Sequence, residues 1–546
     1  MPSSPLHQFL KHEQEFANEV FLRQPINGQW KEWTWKQAGA ESRRMATALH
    51  ALQLPKGSHI AILSKNCAHW VMADVAIMMA GCISIPLYAT LSAGAIQPIL
   101  EHSDAKAIFI GKLDDFTLQT NGIPQNIKRI SFDAYGIIEQ HNWNELIQQH
   151  EPMFETNDPV ESELFTIIYT SGTTGTSKGV MHTFGNFDRV LQMAIKEVQL
   201  PYRSVLFSYL PMSHIAERIG IELNGIYSAS TISFAESIET FAKNVQEVQP
   251  HIFFAVPRLW GKFREGILKK MSQKKMNLLL SIPIVNKLIQ KKIKMALGFS
   301  RASHIFSASA PISVDVLKWF DRLDITIIQA LGMTEDCVYA HFERPYAHRF
   351  GSVGKPLTGI KVKLTEEGEL RVKTPSNTIG YYKEPQLTTE LFDEEGYLKT
   401  GDICEYDHDG FLFVTGRLKD QFKTDKGKYI APTPIEIKLL ANTDIENTCV
   451  VGTGIPQPIA LIVLSETGLK KNKEEITESL LASITAINPL LEHHERLEKV
   501  VVMKETWSME NGLLTPTLKV KRNQVEKMHQ QFYTSWFSKK EKVIWE

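Results

Sequence analysis

From Ser58 the chain runs into a short apolar stretch, His-Ile-Ala-Ile-Leu. Residues 69–80 then place apolar side chains at helical spacing, and a second short run, Cys-Ile-Ser-Ile-Pro-Leu, follows Gly81. This pattern predicts a strand, a helix and a strand, the unit from which parallel sheets are built. Residues 164–171 form another apolar run, which enters a Gly/Thr/Ser-rich loop and then a pattern that is helical after Asn186. Further short runs begin at His251, His304 and Ile325, each followed by turn or helix signals. Strands alternating with helices over about 350 residues predict an α/β body. After Gly368 the pattern changes to short strands and turns (368–374, 410–416), which predicts a β-rich lobe. From Lys419 a basic, glycine-containing loop leads into apolar runs at Ala460 and Val500, with helices between them. The expected fold class is therefore α/β, with a large N-terminal body over residues 1–416 (two αβ layers plus a small β-rich lobe) and a smaller α+β C-terminal domain over 417–546.

The stretch 75–100 has no charged residue and is long enough to cross a bilayer. Gly81, Pro86 and Pro98, with Ser84, Ser92 and Gln97, interrupt it, so a buried helix, a short strand and a loop are expected instead. Sixty Lys and Arg face 61 Asp and Glu among 546 residues, for a net charge of −1, and 43% of residues are apolar. That is enough chain for about two to four packed units. The composition excludes a disordered, collagen-like or disulfide-stapled protein, and the near-neutral charge argues against a nucleic-acid binder. Cys67, Cys82, Cys337, Cys404 and Cys449 lie far apart without metal-ligand spacing, so reduced thiols in a cytoplasmic protein are expected. The first residues carry charges where a secretion signal needs an apolar core.

Tyr169-Thr-Ser-Gly-Thr-Thr-Gly-Thr-Ser-Lys178-Gly179 holds three glycines, six Ser/Thr hydroxyls and one lysine. Its backbone N–H groups and hydroxyls can surround phosphate oxygens while Lys178 supplies positive charge. It is not a P-loop, which needs Gly-Lys-Ser/Thr at its end, whereas Lys178 follows Ser177 and precedes Gly179.

The segment closely resembles the phosphate-binding signature of the adenylate-forming superfamily, with Ser177 where that family often has proline. Further matches follow in the family's order: Gln329-Ala-Leu-Gly-Met-Thr334-Glu335, Tyr397-Leu-Lys-Thr-Gly-Asp402, Gly416-Arg417-Leu-Lys419-Asp420 and Leu514-Thr-Pro-Thr-Leu-Lys519-Val-Lys-Arg522. Gly354-Lys-Pro-Leu and Gly380-Tyr-Tyr-Lys-Glu-Pro extend the resemblance over roughly residues 165–525. It implies ATP, Mg²⁺ and CoA as cofactor and co-substrate, and a carboxylate that attacks the α-phosphorus of ATP. Because negative charge then meets negative charge, cations are needed at both ends.

By resemblance, Thr170, Ser171, Gly172, Thr173, Thr174, Thr176 and Lys178 hold phosphates, Thr334 and Glu335 belong to the catalytic block, and Glu335 is the Mg²⁺ ligand. Ser309, Ala310, Ala330, Leu331 and Gly332 border the nucleotide. Asp402 accepts hydrogen bonds from the ribose hydroxyls with help from Arg417. Lys519 pairs with the substrate carboxylate and α-phosphate. The C-terminal domain is expected to swing about Lys419 after adenylation, withdrawing Lys519 and presenting Lys426-Gly427-Lys428 to CoA; read without the family, those three residues are equally a basic hairpin. Two departures bear on the nucleotide: Ala330 and Leu331 stand where the family has glycine and an aromatic ring, and Ser309 replaces a glycine.

Amino-acid-activating relatives need an Asp after the phosphate loop to pair with the substrate amine, and residues 205–221 have none. Leu-Pro-Met-Ser-His214-Ile-Ala-Glu-Arg218 instead looks like the long-chain fatty acyl-CoA synthetase branch, as do Val256-Pro-Arg-Leu-Trp260 and Ser307-Ala-Ser-Ala-Pro311. His214 either flanks the acyl group or packs as a core histidine. The expected partners are a fatty acid and CoA, with a separate acyl carrier protein as alternative acceptor, since no carrier domain follows residue 546. Finally, residues 262–301 hold eleven Lys/Arg and only Glu265 as acid, a local charge of +10 around an aliphatic run at 278–285. Such a helix is either a solvated basic surface or a peripheral contact with the inner face of a membrane.

Overall fold

The computed structural model describes residues 4–156, 158–171, 177–509, 511–515 and 518–546. The first predicted unit forms as strand His59–Leu63, helix Ala68–Met79 and strand Ile83–Leu87, the two strands parallel with Ile60 opposite Ser84. Helix Ala68–Met79 is buried on every side, which is why it lacks the polar face of a surface helix. The loop expected at its C-terminal side is instead the helix Ala93–His102 with Pro98 inside it. Ile96, Ile99 and Leu100 fall at i, i+3 and i+4 and are buried together, an apolar stripe that outweighs the hydrogen bond lost at Pro98. Among the described residues no helix is long and apolar enough to cross a membrane.

Two large sheets and a small one make the body. An eight-stranded sheet runs, edge to edge, Gly380–Tyr381, Ser177–Thr183, Leu164–Ser171, Ile83–Leu87, His59–Leu63, Ala107–Ile110, Lys128–Ser131 and His141–Asn142. A nine-stranded sheet has a parallel centre made of Ile328–Leu331, His304–Ser307, Ile252–Ala255, Val205–Ser208 and Thr231–Phe234. One continuous core takes Ile60, Phe109 and Phe165 from the first sheet and Leu206, Ile232 and Phe306 from the second. The β-rich lobe is the antiparallel sheet Lys361–Leu364, Glu369–Lys373, Leu398–Tyr406 and Leu412–Arg417. Beyond Arg417, Phe422 already packs in a different core, which with a second core flanks the sheet Ile445–Val451, Ile459–Leu464, Lys499–Val502 and Val543–Trp545. The α/β body with its lobe and the α+β C-terminal unit are thus both present.

Two local differences from the sequence reading have simple causes. The helix after the phosphate loop begins at Phe184 rather than after Asn186, because Thr183 caps it and Asn186 caps back in a reciprocal box. The basic segment is three helices, Pro257–Lys270, Gln273–Leu280 and Pro283–Leu297, since Ser272 caps one new start and Pro283 opens another.

Candidate active site

The strands Leu164–Ser171 and Ser177–Thr183 form an antiparallel hairpin in which Thr170 lies opposite Lys178 and Ser171 opposite Ser177. Gly172, Thr173, Thr174 and Thr176 lie outside the described residues. Lys178 emerges from the hairpin with its Nζ 5.0 Å from the centre of the Tyr381 ring. Tyr381 belongs to the short strand that pairs with Ser177–Thr183, opposite Val180, and its hydroxyl donates to Glu335 Oε1 at 2.8 Å. Lys178, Tyr381 and Glu335 are therefore one connected group, and Tyr381 is the member to which the sequence reading gave no role.

Glu335 stands on the single turn Thr334–Asp336 at the end of strand Ile328–Leu331. Several bonds hold this turn: Met333 N–H donates to Asp336 Oδ1 (2.8 Å), Thr378 N–H to the Glu335 carbonyl (2.7 Å), and His182 Nε2 bonds the Thr334 carbonyl (2.7 Å). Gly332 is required, because a Cβ there would sit 2.5 Å from Val338 Cα. The turn also holds Cys337 and Val338 at φ +57° and +55°, a left-handed conformation that is costly for a β-branched side chain. Burial raises the Glu335 carboxyl above its ordinary pKa, against the pull of the Tyr381 hydroxyl, Arg417 and Lys178.

The β-rich lobe contributes Asp402 and Arg417, cross-strand neighbours joined by Arg417 Nε donating to Asp402 Oδ1 at 2.8 Å. Opposite them, the C-terminal domain brings Lys519. The Thr515 N–H donates to the Lys519 carbonyl (2.8 Å), the Lys519 N–H donates to Thr515 Oγ1 (3.0 Å), and Leu518 takes φ +60°. The Lys519 side chain is exposed to solvent, within electrostatic reach of Arg417 and Asp402. Desolvation by neighbouring protein atoms, then the Arg417 guanidinium, pushes its ammonium down to about 8, against the attraction of Asp402. Two contacts with helix Pro257–Lys270 dock the C-terminal domain: Arg258 with Glu446, and Thr467 with Glu265.

His214 also faces this cleft. It precedes the helical turn Ile215–Glu217 and its Nδ1 accepts from the Ala216 N–H at 3.2 Å. Burial, then the positive charge of Lys519, holds it down at about 4, so it is neutral at physiological pH. The Glu and Arg that follow are scaffold. Glu217 Oε1 accepts from Ser208 Oγ (2.8 Å), Tyr209 N–H (3.0 Å) and Asn66 Nδ2 (3.2 Å), while Arg218 is buried in a two-pronged pair with Asp74 at 2.8 and 2.7 Å. These bonds clamp the end of strand Val205–Ser208 to the turn that carries His214.

The remaining predicted residues flank this centre. Ala330 and Leu331 end their strand, opposite Phe342 and His341, with Ala330 buried and Leu331 half-buried. Ser309 is half-buried and Ala310 exposed just after strand His304–Ser307. Ser309 keeps the left-handed backbone, φ +74°, that suits the glycine it replaces, at a cost of about 1–2 kcal/mol. Gly427 lies at φ +77° in the exposed turn of the hairpin Phe422–Lys423/Tyr429–Ile430. A surface hollow of about 950 Å³ beside Leu54, Lys56 and Met153 shares none of these residues.

Three cations and two carboxylates, drawn from four separated stretches of sequence, thus converge on one cleft, an arrangement suited to bringing two anions together and stabilising the charge that develops between them. A family model described as AMP-binding enzyme matches residues 9–382, and its companion, the AMP-binding enzyme C-terminal domain, matches 419–541. The chain belongs to the AMP-binding, adenylate-forming enzyme family. It is 28% identical to a long-chain fatty acid–CoA ligase of Xenopus laevis over 98% of this chain and 84% of the relative. It is 25% identical to one from Mycobacterium bovis, over 94% of each. In fold it is similar to the adenylation domain of a carboxylate reductase from Mycobacterium chelonae, with TM-score 0.84 at 19% identity over 98% of this chain and 91% of the other.

The charge state of Lys519 sets a pH limit. The ammonium that the resemblance assigns to the gathering negative charge is lost as pH rises through about 8, whereas His214 does not titrate above about 4. The expected result is that kcat/KM for ATP in the adenylation half-reaction falls above about pH 8, with no inflection near the ordinary histidine value. A profile flat to pH 10 contradicts this assignment of the ammonium.

Proposed function

We propose that the protein activates a long-chain fatty acid with ATP, forming an acyl-adenylate and pyrophosphate, and transfers the acyl group to CoA with release of AMP. The observation that carries this reading is the convergence of Lys178, Arg417 and Lys519 with Glu335 and Asp402 in one cleft. In the first step the fatty acid carboxylate attacks the α-phosphorus; Lys519 neutralises the attacking and accepting oxygens, and Lys178, with the hairpin it leaves, neutralises the departing pyrophosphate. Asp402, oriented by Arg417, accepts from the ribose hydroxyls.

Glu335 fits a magnesium ion bound together with the phosphates. Among the described residues no group of three His, Cys, Asp or Glu side chains could hold a metal, so Glu335 would hold the ion as a single carboxylate. When bound, such an ion neutralises phosphate charge. Tyr381, hydrogen-bonded to one oxygen of Glu335, sets the orientation of that carboxylate.

The acid is read as a long-chain one because residues 205–221 offer no Asp for an amine and because the full-length relatives are named for long-chain acids. In the second step Lys519 has to leave, and the C-terminal domain swings about Lys419 so that Gly427 and its flanking lysines meet CoA. The proposal extends to place: long-chain acids partition into bilayers, so the enzyme works beside one from the cytoplasm. The test is pyrophosphate release with a panel of carboxylic acids, with and without CoA. Turnover with palmitate and CoA is expected; release only with short aromatic acids overturns the substrate class. Acyl-AMP that accumulates while CoA is left unused favours a carrier protein as acceptor.

A further inference from the structure

Helix Pro283–Leu297 rests a half-buried face on the body and leaves the other face uncovered. Ile293 and Leu297 pack against the core around Trp260, Trp319 and Phe320. On the other side Ile284, Leu288 and Met295 are 78%, 63% and 53% exposed. Their spacing of four and seven residues puts them on a single stripe. Lys287, Lys291 and Lys292 lie on the same exposed face. The preceding helix Gln273–Leu280, packed beside it, adds exposed Lys274, Lys275 and Leu278, the last 65% exposed. Lys269 pairs with Glu265, and Lys294 pairs with Asp324. The five lysines named on the open face have no carboxylate within ion-pair distance among the described residues.

A purely solvated basic surface has no use for an uncovered aliphatic stripe, and burying that stripe in the body would leave the lysines without water. A second copy of the chain is disfavoured, because it would oppose two faces of the same strong positive charge. We propose that the helices Gln273–Leu280 and Pro283–Leu297 form a seat for an anionic phospholipid bilayer, with Leu278, Ile284, Leu288 and Met295 entering the boundary between headgroups and acyl chains and the lysines meeting lipid phosphates. This deepens the ligase reading by naming the lipid surface beside which the enzyme meets its acid. Binding is nevertheless separable from turnover, since none of these residues belongs to the catalytic cleft.

The test uses the full chain without substrates, sedimented with phosphatidylcholine vesicles that contain or lack phosphatidylserine. Binding is expected to the anionic vesicles and to weaken as salt rises. The triple variant Lys287→Gln/Lys291→Gln/Lys292→Gln should lose roughly 10²-fold in vesicle affinity, and Ile284→Ser/Leu288→Ser about tenfold or more. Both variants should keep the parent's Tm and its pyrophosphate release with a water-soluble short-chain acid. No sedimentation at low salt, or sedimentation that neither variant changes, overturns the seat whatever the enzyme assay gives. Retention on polyglutamate without binding to anionic vesicles overturns it in favour of an acidic protein partner. Vesicle binding by a chain that releases no pyrophosphate keeps the seat and removes the ligase reading.

Discussion

Replacing Lys519 by alanine is expected to slow formation of the acyl-adenylate by roughly 10²–10³-fold, equivalent to about 3–4 kcal/mol, the scale on which one preorganised charge donor acts. Thioester formation from supplied acyl-adenylate should be unchanged, because the proposed swing of the C-terminal domain carries the lysine away before that step. The physical ground lies in the segment around residue 519. Its cross-bonds to Thr515 and the left-handed Leu518 fix the backbone from which the ammonium extends. A collapse of the fold is not the expected route to the loss. The folded-state pKa of Lys519 lies below its ordinary value, so at pH below about 8 the charged side chain costs native stability, a cost that fades as pH rises through the interval up to the ordinary lysine range. Removing the amine should therefore leave Tm equal to or above the parent's at pH 7. A Lys519→Ala protein that makes the adenylate at the parent rate removes the central cation from the mechanism. Equal loss in both half-reactions removes the idea that the domain withdraws it.

The parts of this site that the sequence made legible are those where one residue carries the chemistry within a rigid local motif. Lys178, Glu335, Asp402, Arg417 and Lys519 each sit in a short block whose spacing could be recognised, and the structure brings them into one cleft. What was not legible depended on pairings between distant segments. Tyr381 connects Lys178 to Glu335 only because a two-residue strand joins the edge of the phosphate hairpin, opposite Val180. The aromatic residue in Gly380-Tyr-Tyr was visible, but its partner across the sheet was not. The same limit applies to Arg258 and Thr467, whose bonds dock the C-terminal domain across more than 180 residues of chain. Locally, Pro98 by itself predicts a helix break, but Ile96, Ile99 and Leu100 form an amphipathic face, and packing of that face decides the outcome. Ser309 shows the reverse: a departure from glycine that the backbone absorbs without leaving the left-handed region.

Glu335→Gln separates function from stability more sharply. The amide keeps the shape of the side chain and can still accept from the Tyr381 hydroxyl, so the turn Thr334–Asp336 should stand. What disappears is the negative charge, and with it the carboxylate proposed to hold magnesium. Adenylation is expected to fall by at least about 10²-fold, with weaker apparent affinity for Mg-ATP. Stability should move the other way. Burial raises the Glu335 carboxyl above its ordinary pKa, so ionising it costs the native state free energy that is absent at pH below the ordinary glutamate value and grows as pH rises toward the folded one. At pH 7 the glutamine variant escapes that cost, and its Tm should equal or exceed the parent's while activity collapses. Parent-like pyrophosphate release would remove Glu335 from the metal role. A lowered Tm with proportionate loss of activity would make it a structural carboxylate held by Tyr381.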